Sequence, residues 1–374
     1  MKYYVIAGEV SGDLHASFLI RELKNRDPLA EIRAFGGDNM KREGAFIAKD
    51  IKELNFMGFV EVVKNIFSIY NNLSFCRKDI LSFNPDCVIF FDYPGFNLRI
   101  AKFCHKKGIK TIYCISPKVW AWKKGRIKKM KKILDKLFVI FPFEKEFFKK
   151  YNFDVEYYGN PLLDEIKDYK QKQDKEKFLK ENNLGEKPIV ALLPGSRKQE
   201  IQAMLPIQLS LVDKFEDFDF VVAALRNHPQ SLYQRYIKNT NVKLVFDNTY
   251  SVLQNAYCAI VCSGTATLET ALFNVPEVVC YRANPISFAI GKWLVKLKFI
   301  SLVNIILNRR AVLELLQGDW NEENLEKEFR KLSYDETYRA EMEMNYSNLK
   351  VILGDCGASY KIAKRIVEIL DEKK

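Results

Sequence analysis

Pro188-Ile-Val-Ala-Leu-Leu-Pro-Gly-Ser-Arg197 is an apolar run of strand length that stops at a proline and a glycine and passes into a polar, helix-starting segment. A parallel strand covered on both faces has this pattern, because nothing forces its side chains to alternate with polar ones. Working outward, the same unit recurs at Phe218–Ala224, Val242–Phe246, Ala259–Cys262 and Glu277–Tyr281. Upstream, Lys2–Ala7, Glu31–Phe35, Cys87–Phe91, Lys110–Cys114, Lys136–Phe141 and Val155–Tyr158 form a second series, several ending at Gly, Asp or Ser-Pro. Stretches of helical period separate these runs. Strand and amphipathic helix in alternation predict an α/β fold built on parallel sheets.

Between the two series, residues 165–187 turn to lysine, glutamate, aspartate and glutamine with little apolar content, which predicts a solvated helix or linker and a domain boundary. A chain of 374 residues also exceeds the size at which one hydrophobic core stops growing. Two domains are expected, over 1–165 and from 166 to 349. Hydrophobic residues at 48% and charged residues at 28% supply packed cores without the signature of disorder.

A net charge of +12 points to an anionic partner, whether nucleic acid, acidic lipid or a phosphorylated substrate, or else to a lysine-rich solvated surface. The eight cysteines, at 76, 87, 104, 114, 258, 262, 280 and 356, lie mostly in apolar runs and form no C-x-x-C pair, as buried thiols of a reducing compartment do. With three histidines, His15, His105 and His228, a structural zinc site lacks ligands at useful spacing. The opening run breaks at Gly8 too early for a signal sequence, and no apolar stretch reaches the roughly 18–20 residues that span a bilayer. Any membrane association is therefore expected to be peripheral.

Ala259–Cys262 runs into Ser263-Gly-Thr-Ala-Thr-Leu-Glu269, a strand, tight turn and helix start. Small residues, free amides and hydroxyls at that place suit a diphosphate, and they equally describe an ordinary capped helix. Leu193-Pro-Gly-Ser-Arg197 repeats the logic, with Ser196 and Gln199 at capping-box spacing and Arg197 in the first helical turn, where a cation is unfavourable unless an anion is present. Asn304 and Glu314-Leu-Leu-Gln317 have the donors and acceptors for a ribose and base, or are plain helix residues.

In the first half, Gly8-Glu-Val-Ser-Gly-Asp-Leu-His15 follows strand one but is not the dinucleotide pattern G-x-G-x-x-G. Asp92 ends Cys87–Phe91 and precedes Tyr93-Pro-Gly-Phe-Asn97, a place for a general base or for a turn carboxylate. Between 118 and 136 stand nine Lys or Arg against one Asp, beside Trp120 and Trp122. That segment reads as an interfacial anchor on anionic lipid, with a nucleic-acid surface as the lesser alternative and Ile127, Met130, Ile133, Leu134 and Leu137 at the spacing of a packed helix. Ile286–Ile300 is amphiphilic without an acid and serves equally as a lipid-dipping surface, a core helix or a homodimer interface. Asp217-Phe-Asp219 matches the D-x-D by which some enzymes hold a metal against a nucleotide diphosphate, yet it precedes a strand instead of ending one, so it is expected to be a surface turn with no metal.

Nine segments in order carry a resemblance: Gly8–Asp13, Met57–Val62, Asp92–Pro94, Ser116–Trp122, Phe141–Glu144, Tyr158–Pro161, Leu193–Arg197, Ser263–Glu269 and Glu314–Gln317. Together they resemble the lipid-A-disaccharide synthase family over nearly the whole chain, with Ser-Pro-Lys-Val-Trp-Ala-Trp the most specific. The resemblance implies a GT-B glycosyltransferase, two Rossmann-like domains facing across a cleft, the helix at about 350–374 packing back on the first. It implies transfer of 2,3-diacylglucosamine from its UDP carrier to the 6-hydroxyl of 2,3-diacylglucosamine 1-phosphate, with inversion, giving a β-1,6 disaccharide and UDP at the cytoplasmic face of the inner membrane, with no cofactor and no metal.

By the same resemblance Asp92 is the base. Arg197, Gly264, Thr265, Ala266, Thr267, Glu269, Asn304, Glu314 and Gln317 are the UDP-site positions, and Ser11, Gly12, Asp13, Met57, Glu61, Ser116, Trp120 and Trp122 the acceptor positions. Gly95 stands where the family commonly has aspartate, Asn160 where it has histidine and Val303 where it has proline. Rival readings are another GT-B enzyme with a different lipid acceptor, a UDP-sugar epimerase, and a non-catalytic basic membrane- or RNA-binding protein.

Overall fold

The computed structural model describes residues 1–53, 66–121, 123–170, 174–238, 240–283 and 298–372. Met57, Glu61, Trp122 and most of the amphiphilic stretch 286–300 lie outside the described residues. The chain forms two compact units, one of Met1–Glu165 with Asp355–Lys374 and one of Ile166–Gly354.

The first unit holds a sheet of β1 (Lys2–Ile6), β2 (Glu31–Gly36), β3 (Phe46–Asp50), β4 (Cys87–Phe91), β5 (Lys110–Cys114), β6 (Lys136–Val139) and β7 (Glu156–Tyr157) in the order β3-β2-β1-β4-β5-β6-β7. Every pairing is parallel. Successive residues of a strand point to opposite faces. Tyr4, Ile6, Val88 and Phe90 accordingly enter one core with helices 66–83, 94–106 and 126–133, while Tyr3, Val5, Ile89 and Phe91 enter another with helix Val10–Arg26. The final helix, Ala358–Asp371, completes that second core with Ile362, Ala363 and Ile366. Asp164 fixes its start by accepting hydrogen bonds from the amides of Gly357 and, at 3.0 Å, Ser359.

The second unit repeats the plan with β8 (Ile189–Leu193), β9 (Asp219–Ala224), β10 (Lys243–Phe246), β11 (Ala256–Cys262), β12 (Glu277–Tyr281) and β13 (Leu313–Leu316), ordered β10-β9-β8-β11-β12-β13 and all parallel. In both sheets the order reverses beside the first strand. Connections leave such a switch point toward opposite faces and open a crevice at the carboxyl ends of the two strands that flank it. Those ends are Ala7–Gly8 and Asp92 in one unit, and Pro194–Arg197 and Ser263–Gly264 in the other.

Several expected elements change length or appear unannounced. Lys136–Phe141 ends as a strand at Val139, because Pro142 starts a helix and Ile140 and Phe141 give their amides to Glu144. The strands β3 and β13 stand outside the two series read from the sequence; their apolar residues are cut short by Lys49 and Asp50 in one and interrupted by Glu314 in the other. β13 occupies the segment read above as a run of ribose ligands. Asp217 does sit in a surface turn ahead of β9.

Two positions expected at the acceptor site have structural work in the packing of helix Val10–Arg26. Gly12 is buried where an added Cβ would meet Ala7 at 3.2 Å and Phe91 at 3.7 Å, so it lets the helix approach the sheet. Asp13 is buried and accepts hydrogen bonds from the amides of Gly37 at 2.6 Å, Asn39 at 3.0 Å and Met40 at 3.3 Å. It thereby caps the neighbouring helix Asp38–Arg42. Replacing Asp13 with alanine strands these donors, and chemical denaturation should report a loss of roughly 3 kcal/mol of stability.

Candidate functional site

The mouth of the first sheet is built around strained backbone. Asp92 and Tyr93 have φ of 38° and 43°, and Ile115 after β5 has φ of 63°. Left-handed conformations in non-glycine residues cost roughly 1–3 kcal/mol each and persist only where surroundings hold them. Here the carbonyl of Asp92 accepts hydrogen bonds from the Tyr113 hydroxyl and, at 2.8 Å, from the Asn97 side-chain amide, which also reaches the Phe91 carbonyl at 3.0 Å. Pro94 then opens helix Pro94–Lys106. The Tyr93 ring stacks on Phe96 and lies over Gly8, where a Cβ would come within 2.2 Å of it.

Asp92 thus stands at the end of a fully buried strand in a half-buried position. Burial raises its pKa above the ordinary carboxylate value, while Lys118, His15 and the Tyr93 amide pull it back. A carboxylate whose pKa desolvation raises on balance is a base stronger than an exposed aspartate.

Other positions in this unit fall differently. Ser11 is exposed on the first turn of its helix. Ser116 is buried and its hydroxyl reaches only the Pro117 carbonyl, at 3.1 Å. Trp120 does not serve as an interfacial anchor: it is 9% exposed, edge-on to Phe141 and Phe143. Helix Arg126–Ile133 buries Ile127, Met130 and Ile133 and turns Lys128, Lys129, Lys131 and Lys132 to solvent. Glu144, not singled out from the sequence, is buried behind β6 with a pKa that burial pushes up to about 7 against the amides of Phe141 and Ile140. Its signal was the Phe141-Pro-Phe-Glu144 run, in which proline and a glutamate two places on mark a helix start.

In the second unit, Gly195 has φ of 107°, and a Cβ there would strike Glu200 at 2.6 Å. Glu200 folds back to accept the amides of Ser196 at 3.0 Å and Arg197 at 3.1 Å, and pairs with the Arg197 guanidinium at 2.7 Å. The capping partner is therefore Glu200 in place of Gln199. Arg197 sits at the cap of helix Lys198–Leu209, not in its first turn, and its cation is offset by a carboxylate of the chain.

After β11, Gly264 and Thr265 are exposed at the start of the eight-residue helix Thr265–Leu272, and Ala266 is half-buried. Thr267 is buried, with its hydroxyl on the Gly264 carbonyl at 3.0 Å. Glu269 meets the Tyr250 hydroxyl at 3.4 Å.

The positions expected at the ribose and base form a brace within this unit. Asn304 is fully buried: its oxygen accepts from Ala311 and Val312, and its amide donates to the Val312 carbonyl and to Glu314 at 2.9 Å. Glu314 also accepts the amides of Ile300 and Ser301. Gln317 bonds both backbone groups of Ala283. The Ile300 carbonyl in turn accepts the Ser263 hydroxyl at 3.3 Å, so Asn304 and Glu314 fix the segment beside the Gly264 turn. Sequence displays such residues as ligand donors because it cannot show that backbone groups of the chain already use them.

A sequence model described as lipid-A-disaccharide synthetase matches residues 3–369. The chain is similar to the lipid-A-disaccharide synthases of Geobacter metallireducens, at 31% identity over 99% of this chain and 97% of that one, and of Coxiella burnetii, at 33% over 98% of each. Among solved structures, it resembles the UDP-GlcNAc 2-epimerase of Neisseria meningitidis bound to UDP-GlcNAc, with a TM-score of 0.72 at 14% identity over 98% of this chain and all of that one. It also resembles the glycotransferase of kitacinnamycin, with a TM-score of 0.65 at 13% identity over 99% of each. At such identities these likenesses speak to the fold alone, two parallel-sheet α/β units of GT-B type.

The clamp on Asp92 carries a measurable order. Asn97→Ala, which uncovers two backbone carbonyls and a cavity, should cost roughly 2–3 kcal/mol in urea denaturation, and Tyr113→Phe, which keeps the ring, about 1 kcal/mol.

Proposed function

Since the chain belongs to the lipid-A-disaccharide synthase family, and is a glycosyltransferase of lipid A biosynthesis with the GT-B fold, we propose that it transfers 2,3-diacylglucosamine from UDP to the 6-hydroxyl of 2,3-diacylglucosamine 1-phosphate. The observation that carries the mechanism is Asp92, a carboxylate of raised proton affinity held at the end of β4 by backbone strain and two side-chain donors.

In a single displacement, Asp92 takes the proton of the 6-hydroxyl as its oxygen bonds to the anomeric carbon. The bond from that carbon to the diphosphate breaks on the opposite side, and UDP leaves with the electron pair. One displacement inverts the anomeric centre and yields the β-1,6 linkage. General-base help of this kind contributes about 10²-fold to 10⁴-fold. Charge accumulating on UDP is met by the exposed helix start at Gly264–Thr265 and by Arg197, whose pairing with Glu200 holds it at the neighbouring turn. In this reading the first unit takes the acceptor, the second takes UDP, and no metal takes part.

The proposed setting is the cytoplasmic face of the inner membrane. Among the described residues no helix is long and apolar enough to cross a bilayer. The exposed lysines of helix Arg126–Ile133 suit an anionic surface, each contributing about 1 kcal/mol near acidic lipid. Trp120, being buried, takes no part in that contact.

The test is mass-spectrometric detection of the disaccharide from the two acylated sugars, with purified protein and a chelator present. Asp92→Asn should lower transfer at least about 10²-fold while UDP still binds; residual transfer near the wild-type rate removes Asp92 as base. Because the base works only when ionised and burial raises its pKa, the wild-type rate should fall with decreasing pH at values above those of an ordinary aspartate.

A further inference from the structure

One titratable pair in the first unit has no part in the mechanism as derived. Gly12 packs on Ala7 and Phe91, and three residues on, the same face of that helix presents His15. His15 shares with Phe91, Ile115, Ile140 and Ser359 an apolar slot at the carboxyl ends of the central strands. Its Nδ1 meets the carboxylate of Glu165, and the two side chains are only 11% and 2% exposed. A carboxylate buried to that degree requires a charge partner or strong donor, and His15 supplies it. An ionised Glu165 also demands the proton on Nδ1, which fixes the ring's orientation.

Phe91 directly precedes Asp92, so the anchored imidazole stands beside the strand end that delivers the base. Three groups act on the Asp92 carboxylate: the exposed Lys118 from the segment after β5, the Tyr93 amide, and His15 from the first helix. Facing His15 itself are Glu165 and, in the same slot, the Cys114 thiol and Ser359 hydroxyl. Lys118 acts through solvent, which screens it, whereas His15 acts from a nearly dry position.

We propose that His15, clamped by Glu165, is a positioning residue for proton transfer: it is the fixed charge partner that holds the Asp92 carboxylate ready for the acceptor hydroxyl. The proposal rests on the reading of Asp92 as base.

Rates of transfer by wild type, His15→Gln, Glu165→Gln and Asp92→Asn, measured from about pH 5 to about pH 9, test it. His15→Gln should move the acidic limb of the kcat profile upward by about half to one pH unit and lower kcat at neutral pH about 10-fold, with UDP affinity unchanged. Glu165→Gln should move the limb the same way by less, since the ring stays in the slot but is no longer anchored by the carboxylate. An acidic limb in His15→Gln that coincides with wild type overturns the proposal even if kcat falls, because a merely structural role lowers the rate without moving the limb. Should His15→Gln fail to fold, His15→Asn carries the same comparison. Retained transfer by Asp92→Asn, by contrast, overturns the base reading itself, whatever the His15 variants do.

Discussion

The Asp92 carbonyl accepts two side-chain hydrogen bonds, from Tyr113 one strand away and from Asn97 one helical turn ahead, and the arrangement at the mouth of the first sheet depends on them. Without those donors, consecutive left-handed residues at 92 and 93 would relax, and the Tyr93 ring would leave the groove that Gly8 opens for it. A parallel strand ends where its ladder bonds end, so any side chain beyond that point needs another source of rigidity. Tyr113 and Asn97 provide it from within the core, both buried, which makes the position of the base a property of packing as much as of the loop that carries it.

The second unit follows the same economy with different chemistry. Glu200 closes over the Gly195 turn, and Glu314 with Asn304 ties down residues 300–301 beside Ser263. In both places a carboxylate of the chain satisfies backbone amides that would otherwise need water. What remains exposed is the start of helix Thr265–Leu272, where backbone donors and a favourable dipole are offered together. The loops are held because many of their own polar groups are spent internally.

Charge is distributed by the same division. The excess that makes the chain +12 overall is partly displayed on the outward face of helix Arg126–Ile133, whereas Asp13, Glu144 and Glu165 are acids turned inward to cap helices or hold a ring. Exposed lysines cost little and act at range on an anionic surface. These three buried acids act at contact distance, paired with specific amides or with an imidazole.

Sequence by itself determined the elements whose cause is local. Cys87–Phe91 and Lys110–Cys114 have the strand limits read from the sequence, the first apolar throughout as befits a strand covered on both faces. It also located Asp92 at a strand end, and nine ordered segments led to the family. It missed β3 and β13, whose apolar residues are cut short by Lys49 and Asp50 in one and interrupted by Glu314 in the other. It also read Asp13, Trp120 and Asn304 as ligand or lipid contacts. Tertiary structure alone decided those three, because whether a polar or aromatic group is available depends on partners elsewhere in the chain. For Asp13 they are amides 24 to 27 residues away, for Trp120 the rings of Phe141 and Phe143, and for Asn304 the backbone of Ala311 and Val312 with the side chain of Glu314. Periodicity is written into neighbouring residues; satisfaction of a hydrogen bond is written only into the folded chain.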